Sequence, residues 1–555
     1  MELNRSFIKL IENSIKSNWY LNALTDYKGV TYQYRDVARK IEKIHIVFYN
    51  AGIKKGDKIA ICGRNSANWT TVFLSVITYG AVAVPILHEF KADQIHNIVN
   101  HSDARLLIVG DQVWENLNEE AMPSLEGILG LNDWELLISR SDKLTYAREH
   151  LNEFFGNKFP CRFRADDVCY KEESSLDDLV IINYTSGTTG FSKGVMLSYR
   201  SILSNVLYCN EKIGIKPGEN IVSMLPLGHV FGMVFDFLYG FSFGAHIWFL
   251  TRIPSPKIIA ESFAEIRPRV IACVPLIVEK IFKKNILPKV DNKLGKLLLH
   301  VPIINDKIKE KIRKKSIEVF GGNFIEILIG GAPFNAEVEA FVRSINFPYT
   351  IVYGMTECGP TICHNHWKDL RYGSCGKAAS RMEVKIISEN PHKIPGELVC
   401  RGENVMLGYY KNEEATNQVI DSEGWLHTGD MAIVDKDGHF YIKGRCKNML
   451  LTSSGQNIYP EEIESKLNNM PYISESLVIL NNEKLVALVY PDSEEAFNNG
   501  LKNEDLIREL EHNRKSLNNV LPHYSQISSF RIYPEEFEKT AKKSIKRFLY
   551  QDITD

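Results

Sequence analysis

The sequence carries almost no net charge and has no long apolar run. Its 66 basic and 68 acidic residues give a formal net charge of −2, so bulk electrostatic attraction to nucleic acid is not expected. No apolar stretch is long enough to cross a bilayer, and the first 22 residues are too polar for the centre of a secretory signal peptide. We therefore expect a cytoplasmic protein without a nucleic-acid partner.

Paired cysteine spacings are also missing. The ten cysteines form no Cys-x-x-Cys motif, which favours free thiols in a reducing compartment. Cys358, Cys363, His364 and His366 lie close together in sequence, but their spacing fits no standard structural zinc site. With 555 residues the chain exceeds what a single core usually serves, so several domains are expected.

A run of small residues follows a predicted strand. Leu179–Asn183 is apolar and rich in β-branched residues, which favours a buried strand. In the run Thr185–Gly190, the glycines Gly187 and Gly190 allow successive N–H groups to converge on one point. Hydroxyl groups and one nearby cation complete the set: Thr185, Ser186, Thr188, Thr189 and Lys193. The run predicts a phosphate-binding loop, although a polar surface loop would have the same composition.

The Walker P-loop is a different solution to phosphate binding, and this run does not match it. That motif ends in Gly-Lys-Ser/Thr, whereas Lys193 follows Ser192 and precedes Gly194.

Strand and helix patterns alternate in the amino-terminal third. Strands are predicted at Lys58–Gly63, Ala81–Ile86 and Ala104–Gly110, and helices at Thr31–Ala51 and Ser66–Tyr79. This alternation predicts an α/β fold with a mostly parallel sheet covered by helices on both faces.

Three later strand patterns end in loops that carry polar or glycine residues. Ile221–Gly232 contains His229, Ile325–Pro333 ends in a double glycine, and Thr350–Glu357 ends in a carboxylate. A lone histidine is usually structural. Aromatic residues crowd beyond His229; core packing explains most such residues, yet an apolar ligand tunnel would draw on the same ones.

The pattern changes towards the carboxy terminus. From Gly396 onward, short strands and the Asp437–Gly438 turn predict antiparallel hairpins and a small barrel-like part. Ser476–Leu480 and Lys484–Tyr490 predict another hairpin, and Asn503–Asn518 predicts a helix.

The segment Tyr184–Gly194 resembles the phosphate loop of the adenylate-forming superfamily, which includes acyl-CoA synthetases, luciferases and peptide-synthetase adenylation domains. Ser192 stands where that loop usually has proline. Further motifs resemble the superfamily and follow its order: Pro226–Gly232, Gly330–Pro333, Tyr353–Glu357 and Gly424–Asp430.

The resemblance implies a role for each matching residue. It places the phosphates of ATP against Thr185, the loop Ser186–Gly190 and Lys193, and the acyl carboxylate beside His229. It places adenine along Gly331, Ala332 and Pro333 and against Tyr353 and Gly354. In the superfamily Thr356 meets phosphate, Glu357 binds Mg²⁺, Asp430 accepts hydrogen bonds from ribose and Arg445 contacts the ribose and phosphate. Lys447 corresponds to the hinge, and Gly455 lies in a loop that faces the thiol.

The resemblance also implies the domain organisation and the reaction. Residues 1–445 would form a large α/β domain of mixed and parallel sheets with a β-barrel-like part, and residues 446–555 a small mobile α+β domain. ATP, Mg²⁺ and coenzyme A would serve to convert a carboxylic acid to acyl-AMP and then acyl-CoA. The segment Lys447–Pro460 is most similar to bacterial long-chain fatty acid–CoA ligases. An aryl- or medium-chain ligase, an acyl-carrier-protein ligase and a non-catalytic adenylate-binding homologue are the alternatives.

One departure falls at a catalytic position. The usual carboxy-terminal motif, Thr-x-x-Gly-Lys-Ile-x-Arg, supplies a lysine to the reacting carboxylate and α-phosphate. Here Lys543 stands at the glycine and Ser544 at the lysine. We expect Lys543 to replace the missing cation after a one-residue shift; Lys542, Lys546 or a slow reaction without lysine are the alternatives.

A basic stretch forms the last feature. Residues Lys280–Lys315 hold twelve Lys and Arg against three acidic residues, interleaved with Ile and Leu. A solvated helix face accounts for such a stretch; a peripheral contact with the inner membrane surface is the alternative.

Overall fold

The structure is a computed structural model that describes residues 6–185, 193–251, 256–282, 302–451, 457–481, 484–539 and 545–551. Within those ranges the strands form six sheets, and helices pack between and around the larger ones. The predicted α/β fold with a small α+β carboxy-terminal part is confirmed.

An eight-stranded sheet is the largest element. Its strands, in spatial order, are Gly408–Tyr409, Lys193–Ser198, Leu179–Thr185, Val82–Ile86, Lys58–Cys62, Ala104–Val109, Gly127–Gly130 and Leu136–Ser139. The five strands from Leu179–Thr185 to Gly127–Gly130 are parallel, and the pairs at both edges are antiparallel. The central strands are buried on both faces, as their continuous apolar sequences predict.

Two smaller mixed sheets stand beside it. One orders Asn220–Ser223, His246–Phe249, Asn22–Asp26 and Thr31–Gln33; the other orders Ile271–Cys273, Ile327–Gly330, Tyr349–Gly354, Thr361–His364 and Lys377–Ala378. The strands Ile327–Gly330 and Tyr349–Gly354 are parallel, so both of their motif-bearing ends lie at the same edge.

The part predicted to be barrel-like is a four-stranded antiparallel sheet of Met382–Ile387, Gly396–Gly402, Leu426–Val434 and Phe440–Arg445. Its last two strands form the hairpin predicted around Asp437–Gly438. The remaining described segment pairs Leu450–Leu451 with Asn457–Ile458, and Ile473–Asn481 with Lys484–Pro491 and Ser529–Ile532.

Helices surround these sheets. The described α-helices of eight or more residues are Phe7–Ser17, Tyr34–Ala51, Ala67–Tyr79, Ala92–His101, Asp142–Glu149, Leu151–Lys158, Tyr199–Lys212, Pro256–Ile266, Pro302–Val319, Ala336–Ser344, Pro460–Leu467 and Asn503–Asn518. Shorter helical turns are Asp111–Trp114, Val230–Gly232, Tyr239–Ser242, Pro275–Ile281, Glu413–Asn417 and Ser493–Asn498, with a π-helical turn at Met233–Leu238. Searching the described residues finds no helix long and apolar enough to cross a membrane.

The predicted start of one helix was wrong. Thr31 was expected to begin the helix that ends at Ala51, but Thr31–Gln33 is a strand and the helix begins at Tyr34. The hydroxyl of Thr25 donates a hydrogen bond to that of Thr31 across the strand pair, 2.9 Å away. Asp36 then accepts from the backbone N–H of Gln33 at 3.0 Å, which ends the strand with a helix cap.

Tyr34 ties this helix to the core. Its side chain is fully buried, and its hydroxyl donates to the carbonyl of Ala245 at 2.8 Å. The ring lies 4.9 Å from that of Phe241. The hydroxyl also lies 3.3 Å from the carbonyl of Phe241, so it serves two buried backbone carbonyls.

We predict that Tyr34→Phe lowers stability by about 1–3 kcal/mol, because the hydrogen bond from the hydroxyl to the carbonyl of Ala245 is lost in a buried place. Tyr49→Phe is the control, since Tyr49 lies on the same helix but is 76% exposed. Thermal denaturation should show a lower midpoint for Tyr34→Phe alone. Equal midpoints for both variants would refute the assignment.

Candidate functional site

The predicted phosphate loop connects two antiparallel strands. Leu179–Thr185 pairs with Lys193–Ser198, and Thr185 lies opposite Lys193. A Walker loop leads from a strand into a helix, so this hairpin is a different construction. Thr185 and Lys193 are both half-buried at its base. The loop residues Ser186, Gly187, Thr188, Thr189 and Gly190 lie outside the described residues.

A tyrosine connects the base of this hairpin with the predicted metal ligand. Gly408–Tyr409 pairs with the other edge of Lys193–Ser198. The ammonium nitrogen of Lys193 lies 4.7 Å from the ring centre of Tyr409, and the hydroxyl of Tyr409 donates to Glu357 Oε1 at 2.9 Å. Burial, together with the carboxylate of Glu357, raises the pKa of Tyr409, so its hydroxyl remains a donor at neutral pH.

Glu357 lies in a tight turn fixed by its backbone. Thr356–Cys358 forms one helical turn directly after the strand Tyr349–Gly354, and Thr356 and Glu357 are both buried. The carbonyl of Glu357 accepts from the N–H of Met406 at 2.8 Å. A Cβ atom on Gly354 would stand 1.9 Å from the carbonyl oxygen of Pro360, so this approach requires glycine.

Tyr353, at the end of the same strand, joins a second polar group. Its hydroxyl donates to Asp430 Oδ2 at 2.7 Å, and Arg445 Nε lies 3.1 Å from Asp430 Oδ1. Asp430 and Arg445 face each other across neighbouring strands. Burial raises the pKa of Asp430, and the charge of Arg445 with the bond from Tyr353 opposes that rise. The side chain of Arg445 is largely exposed, whereas that of Asp430 is buried. The carboxylate of Asp430 therefore accepts from Tyr353 on its inner side and meets a solvent-exposed cation on its outer side.

His229 and the Gly331–Pro333 segment meet through an aromatic ring. His229 is half-buried and precedes the short helix Val230–Gly232. The ring of Phe231 lies against Gly330, where an added Cβ would stand 3.0 Å from Phe231 Cζ. Gly331, Ala332 and Pro333 follow directly and are exposed. The histidine loop and the predicted adenine segment therefore border the same space.

Most of the aromatic residues beyond His229 belong to the core. Phe237, Tyr239 and Phe241 are completely buried and pack with the amino-terminal helices. Core packing accounts for them, whereas Phe231 is half-buried at the site.

The carboxylate of Glu357 fits the way in which proteins commonly bind magnesium. In the described part of the chain, no group of three or more His, Cys, Asp and Glu side chains is placed to hold a metal ion. Mg²⁺ commonly uses one or two carboxylates and takes its other ligands from phosphates and water. A single buried carboxylate, Glu357, near the base of the phosphate hairpin suits that pattern.

The profile of the AMP-binding enzyme family matches residues 17–410, and that of the AMP-binding enzyme C-terminal domain matches residues 447–552. The chain belongs to the AMP-binding enzyme family.

Two relatives agree with this membership, and a solved structure shares the fold. The long-chain-fatty-acid–CoA ligase ACSBG2 of Homo sapiens is 28% identical over 485 residues, which cover 82% of this chain and 71% of that one. The long-chain-fatty-acid–CoA ligase FadD15 of Mycobacterium bovis is 25% identical over 560 residues, covering 92% and 89%. The fold is similar to that of the anthranilate CoA ligase AuaEII in complex with anthranoyl-AMP, with a TM-score of 0.77, 20% identity and coverage of 99% and 97%.

Within this AMP-binding enzyme, sequence analysis missed Tyr409. Neighbouring strand residues point to opposite faces, and the structure shows that Tyr409 reaches Glu357 whereas the hydroxyl of Tyr410 donates to Asp103 at 2.8 Å. The sequence does not indicate which of these two adjacent tyrosines faces the site. The pairing of Tyr409 with Val195 in the sheet determines that Tyr409 does.

The remaining predicted site residues lie elsewhere or outside the description. Lys447 is exposed in the turn Cys446–Asn448 that follows Arg445. Gly455 and Lys543 are outside the described residues.

We predict that Asp430→Asn weakens AMP binding about tenfold or more, because hydrogen bonds to a charged acceptor contribute about 1.5–3 kcal/mol. Asp435→Asn is a matched control: Asp435 follows the same strand and lies 2.8 Å from an arginine, Arg371. Isothermal titration calorimetry with AMP should separate the two variants. Unchanged affinity in Asp430→Asn would show that the nucleotide binds elsewhere.

Proposed function

We propose that this protein is an AMP-forming acyl-CoA ligase whose substrates are long-chain fatty acids. Family membership and the named relatives support the acyl-CoA ligase activity. One observation supports the site assignment: the segment Tyr353–Glu357 contacts two polar groups that come from different parts of the chain. At one end Tyr353 donates to Asp430. At the other end Glu357 accepts from Tyr409, whose ring lies beside the ammonium group of Lys193.

The first half-reaction joins the fatty acid to AMP. A carboxylate oxygen attacks the α-phosphorus of ATP, a new O–P bond forms, and the bond to pyrophosphate breaks. Negative charge spreads over phosphate oxygens, so positioned donors and cations supply most of the acceleration. We assign the phosphates to Thr185, Lys193 and the loop between them, the ribose to Asp430 and Arg445, and the acyl carboxylate to the His229 loop. Adenine lies along Gly331–Pro333 and Tyr353.

Mg²⁺, when bound at Glu357, would neutralise phosphate charge. The hydroxyl of Tyr409 orients the carboxylate of Glu357, and the ring of Tyr409 holds the ammonium group of Lys193 at the base of the hairpin.

The second half-reaction transfers the acyl group. The thiol of coenzyme A attacks the acyl carbonyl, the C–S bond forms, and AMP leaves. We place the domain boundary after Arg445 and the pivot at Lys447, with residues 446–555 moving between the two steps. The contacts next to the pivot are polar: Lys443 with Glu462 at 3.1 Å, and Asn448 with Glu461 at 2.6 Å. Polar contacts of this kind exchange readily with water, which suits a rotation.

A panel of carboxylates tests the substrate class. With ATP and coenzyme A present, AMP release should be fastest for fatty acids of about 14–18 carbons, since each buried methylene contributes about 0.8 kcal/mol to binding. Anthranilate and hexanoate serve as the aryl and medium-chain comparisons. A higher kcat/KM for either of them would overturn the long-chain assignment, and no pyrophosphate exchange with any acid would leave a non-catalytic adenylate-binding protein.

Glu357→Gln should abolish most ATP–pyrophosphate exchange while the protein stays folded, because a neutral amide holds Mg²⁺ poorly. The matched control is Glu326→Gln, since Glu326 is also a buried carboxyl but accepts from the N–H of Trp367 away from the site. Exchange at the wild-type rate in Glu357→Gln would exclude the metal-ligand role.

The choice among the lysines near the missing carboxy-terminal cation rests on their neighbours. Lys546 forms an ion pair with Glu538, which favours another lysine. Lys539 and Ile545 pair with each other and flank residues 540–544, which lie outside the description. We propose Lys543 as the cation that meets the reacting carboxylate and α-phosphate.

Lys543→Ala should slow acyl-AMP formation by about 100- to 1000-fold, taking the loss of one transition-state donor as the guide. Thioester formation from supplied acyl-AMP should be unaffected. Lys542→Ala and Lys546→Ala are the controls, and each should retain the first half-reaction. Full adenylation by Lys543→Ala would refute the assignment.

Peripheral membrane contact through residues 280–315 is also a proposal. In the described part, the helix Pro302–Val319 exposes Lys307, Lys311, Lys314 and Lys315. Glu310 lies 3.6 Å from Lys314 on that face. An anionic lipid surface would attract the lysines, and a solvated helix face would have the same pairing.

A further inference from the structure

Three buried polar side chains hold the loop that carries His229. They come from distant parts of the chain: Asn65 from the loop after the strand Lys58–Cys62, Asn183 from the strand that enters the phosphate hairpin, and Asp236 from the π-helical turn Met233–Leu238. All are at most 8% exposed. The loop they hold comprises Met224–Gly228 and directly precedes His229.

Asp236 and Asn65 account for the first half of this loop. One oxygen of Asp236, Oδ2, accepts from the N–H groups of Met224 and Leu225, both at 3.0 Å. Asn65 donates to the carbonyl of Leu225 at 2.7 Å and accepts from the N–H of Leu227 at 3.0 Å. These bonds replace the ladder that a strand would provide.

Asn183 holds the second half. Its amide donates to the carbonyl of Gly228 at 2.8 Å, one residue before His229. The glycine is itself packed: an added Cβ would stand 2.9 Å from Leu87 Cδ2 and 3.2 Å from the backbone nitrogen of Leu87. The backbone on the amino side of His229 is therefore fixed by a hydrogen bond on one side and by packing on another.

Stability alone does not explain these polar groups. Asn183 Oδ1 and Asp236 Oδ1 are buried and have no hydrogen-bond partner among the described residues. Leaving a buried acceptor unpaired costs about 1–3 kcal/mol, comparable to the gain from the bonds that are made. Burial raises the pKa of Asp236 to about 8, although the bonds from the N–H groups of Leu225 and Met224 oppose that rise. Side chains that add so little net stability are expected where a fixed geometry is needed.

The position of Asn183 gives this geometry a second connection. Asn183 lies two residues before Thr185, in the strand whose end forms the base of the phosphate hairpin. A displacement of that strand end moves the amide that holds Gly228. Phosphate binding and the placement of His229 therefore act on the same short piece of backbone.

We propose that Asn183 couples the phosphate hairpin to the His229 loop, with Asn65 and Asp236 as further positioning residues that keep the loop in place for the carboxylate substrate. The effect on catalysis rests on the proposed function as a whole, whereas the coupling rests only on ATP binding at the hairpin and needs no turnover. None of the three side chains is assigned a contact with substrate.

Hydrogen–deuterium exchange measured by mass spectrometry tests the coupling without any turnover. In the wild type, adding ATP should slow exchange in the peptide that covers residues 224–229. In Asn183→Leu, which keeps similar volume but removes the donor, ATP should still bind and the protection should be lost. The control is Asn68→Leu: Asn68 is a buried amide that donates to the carbonyl of Asn132, also at 2.8 Å, away from the site. Protection by ATP that persists in Asn183→Leu, or is absent in the wild type, would overturn the coupling.

Kinetics test the positioning role. Asn183→Leu and Asp236→Leu should each lower kcat/KM for the carboxylate about tenfold and leave the KM for ATP within about twofold. A tenfold change equals about 1.4 kcal/mol, which is the size expected for the loss of one hydrogen bond. Asp236→Asn should restore most of the activity, because its amide oxygen still accepts from both N–H groups. Equal losses for ATP and carboxylate would indicate a merely structural role, and no loss would refute the proposal. Inactivity of the wild type would contradict the proposed function instead, and the exchange experiment would still decide the coupling.

Discussion

Backbone pairing on both edges of the strand Lys193–Ser198 determines where the site forms. One edge carries Leu179–Thr185 and the other carries Gly408–Tyr409. Because the register is fixed on both sides, Tyr409 is held against Lys193 and Glu357 by segments that are more than 50 residues apart in sequence. A slip of one residue would turn Tyr410 towards the site and Tyr409 away from it.

Buried polar groups form a second layer of organisation around this strand. Asp430, Asp236 and the Asn183 amide are each largely removed from water, where an unpaired polar atom is costly. Each uses its hydrogen bonds to fix a loop or a partner side chain that borders the site. The main core is apolar. The residues that fix the geometry of the site are therefore different from those that supply most of the stability.

Local patterns were sufficient to predict many elements. The helix Asn503–Asn518 and the hairpin around Asp437–Gly438 both appeared as predicted, because each depends on residues within a few positions of one another. Sheet order, the strand at Thr31 and the contacts of Tyr409, Asn65 and Asp236 depend on pairings between separate elements, and Tyr409 pairs with Val195 more than 200 residues earlier in sequence. Periodicity and turn chemistry do not contain that information, whereas the superfamily motifs indicated which loops would meet.

The aromatic face beneath Lys193 affects how the lysine can respond to an anion. A ring attracts a cation by its quadrupole, with a gain of about 0.5–1 kcal/mol at an exposed site, and leaves the positive charge unneutralised. A lysine already paired with a carboxylate would have to break that pair before it met a polyphosphate. Here the ammonium of Lys193 lies 4.7 Å from the ring centre of Tyr409, so capture of an incoming anion needs only that the lysine exchange the ring for the anion. Entry should then be limited by diffusion rather than by the rupture of an ion pair.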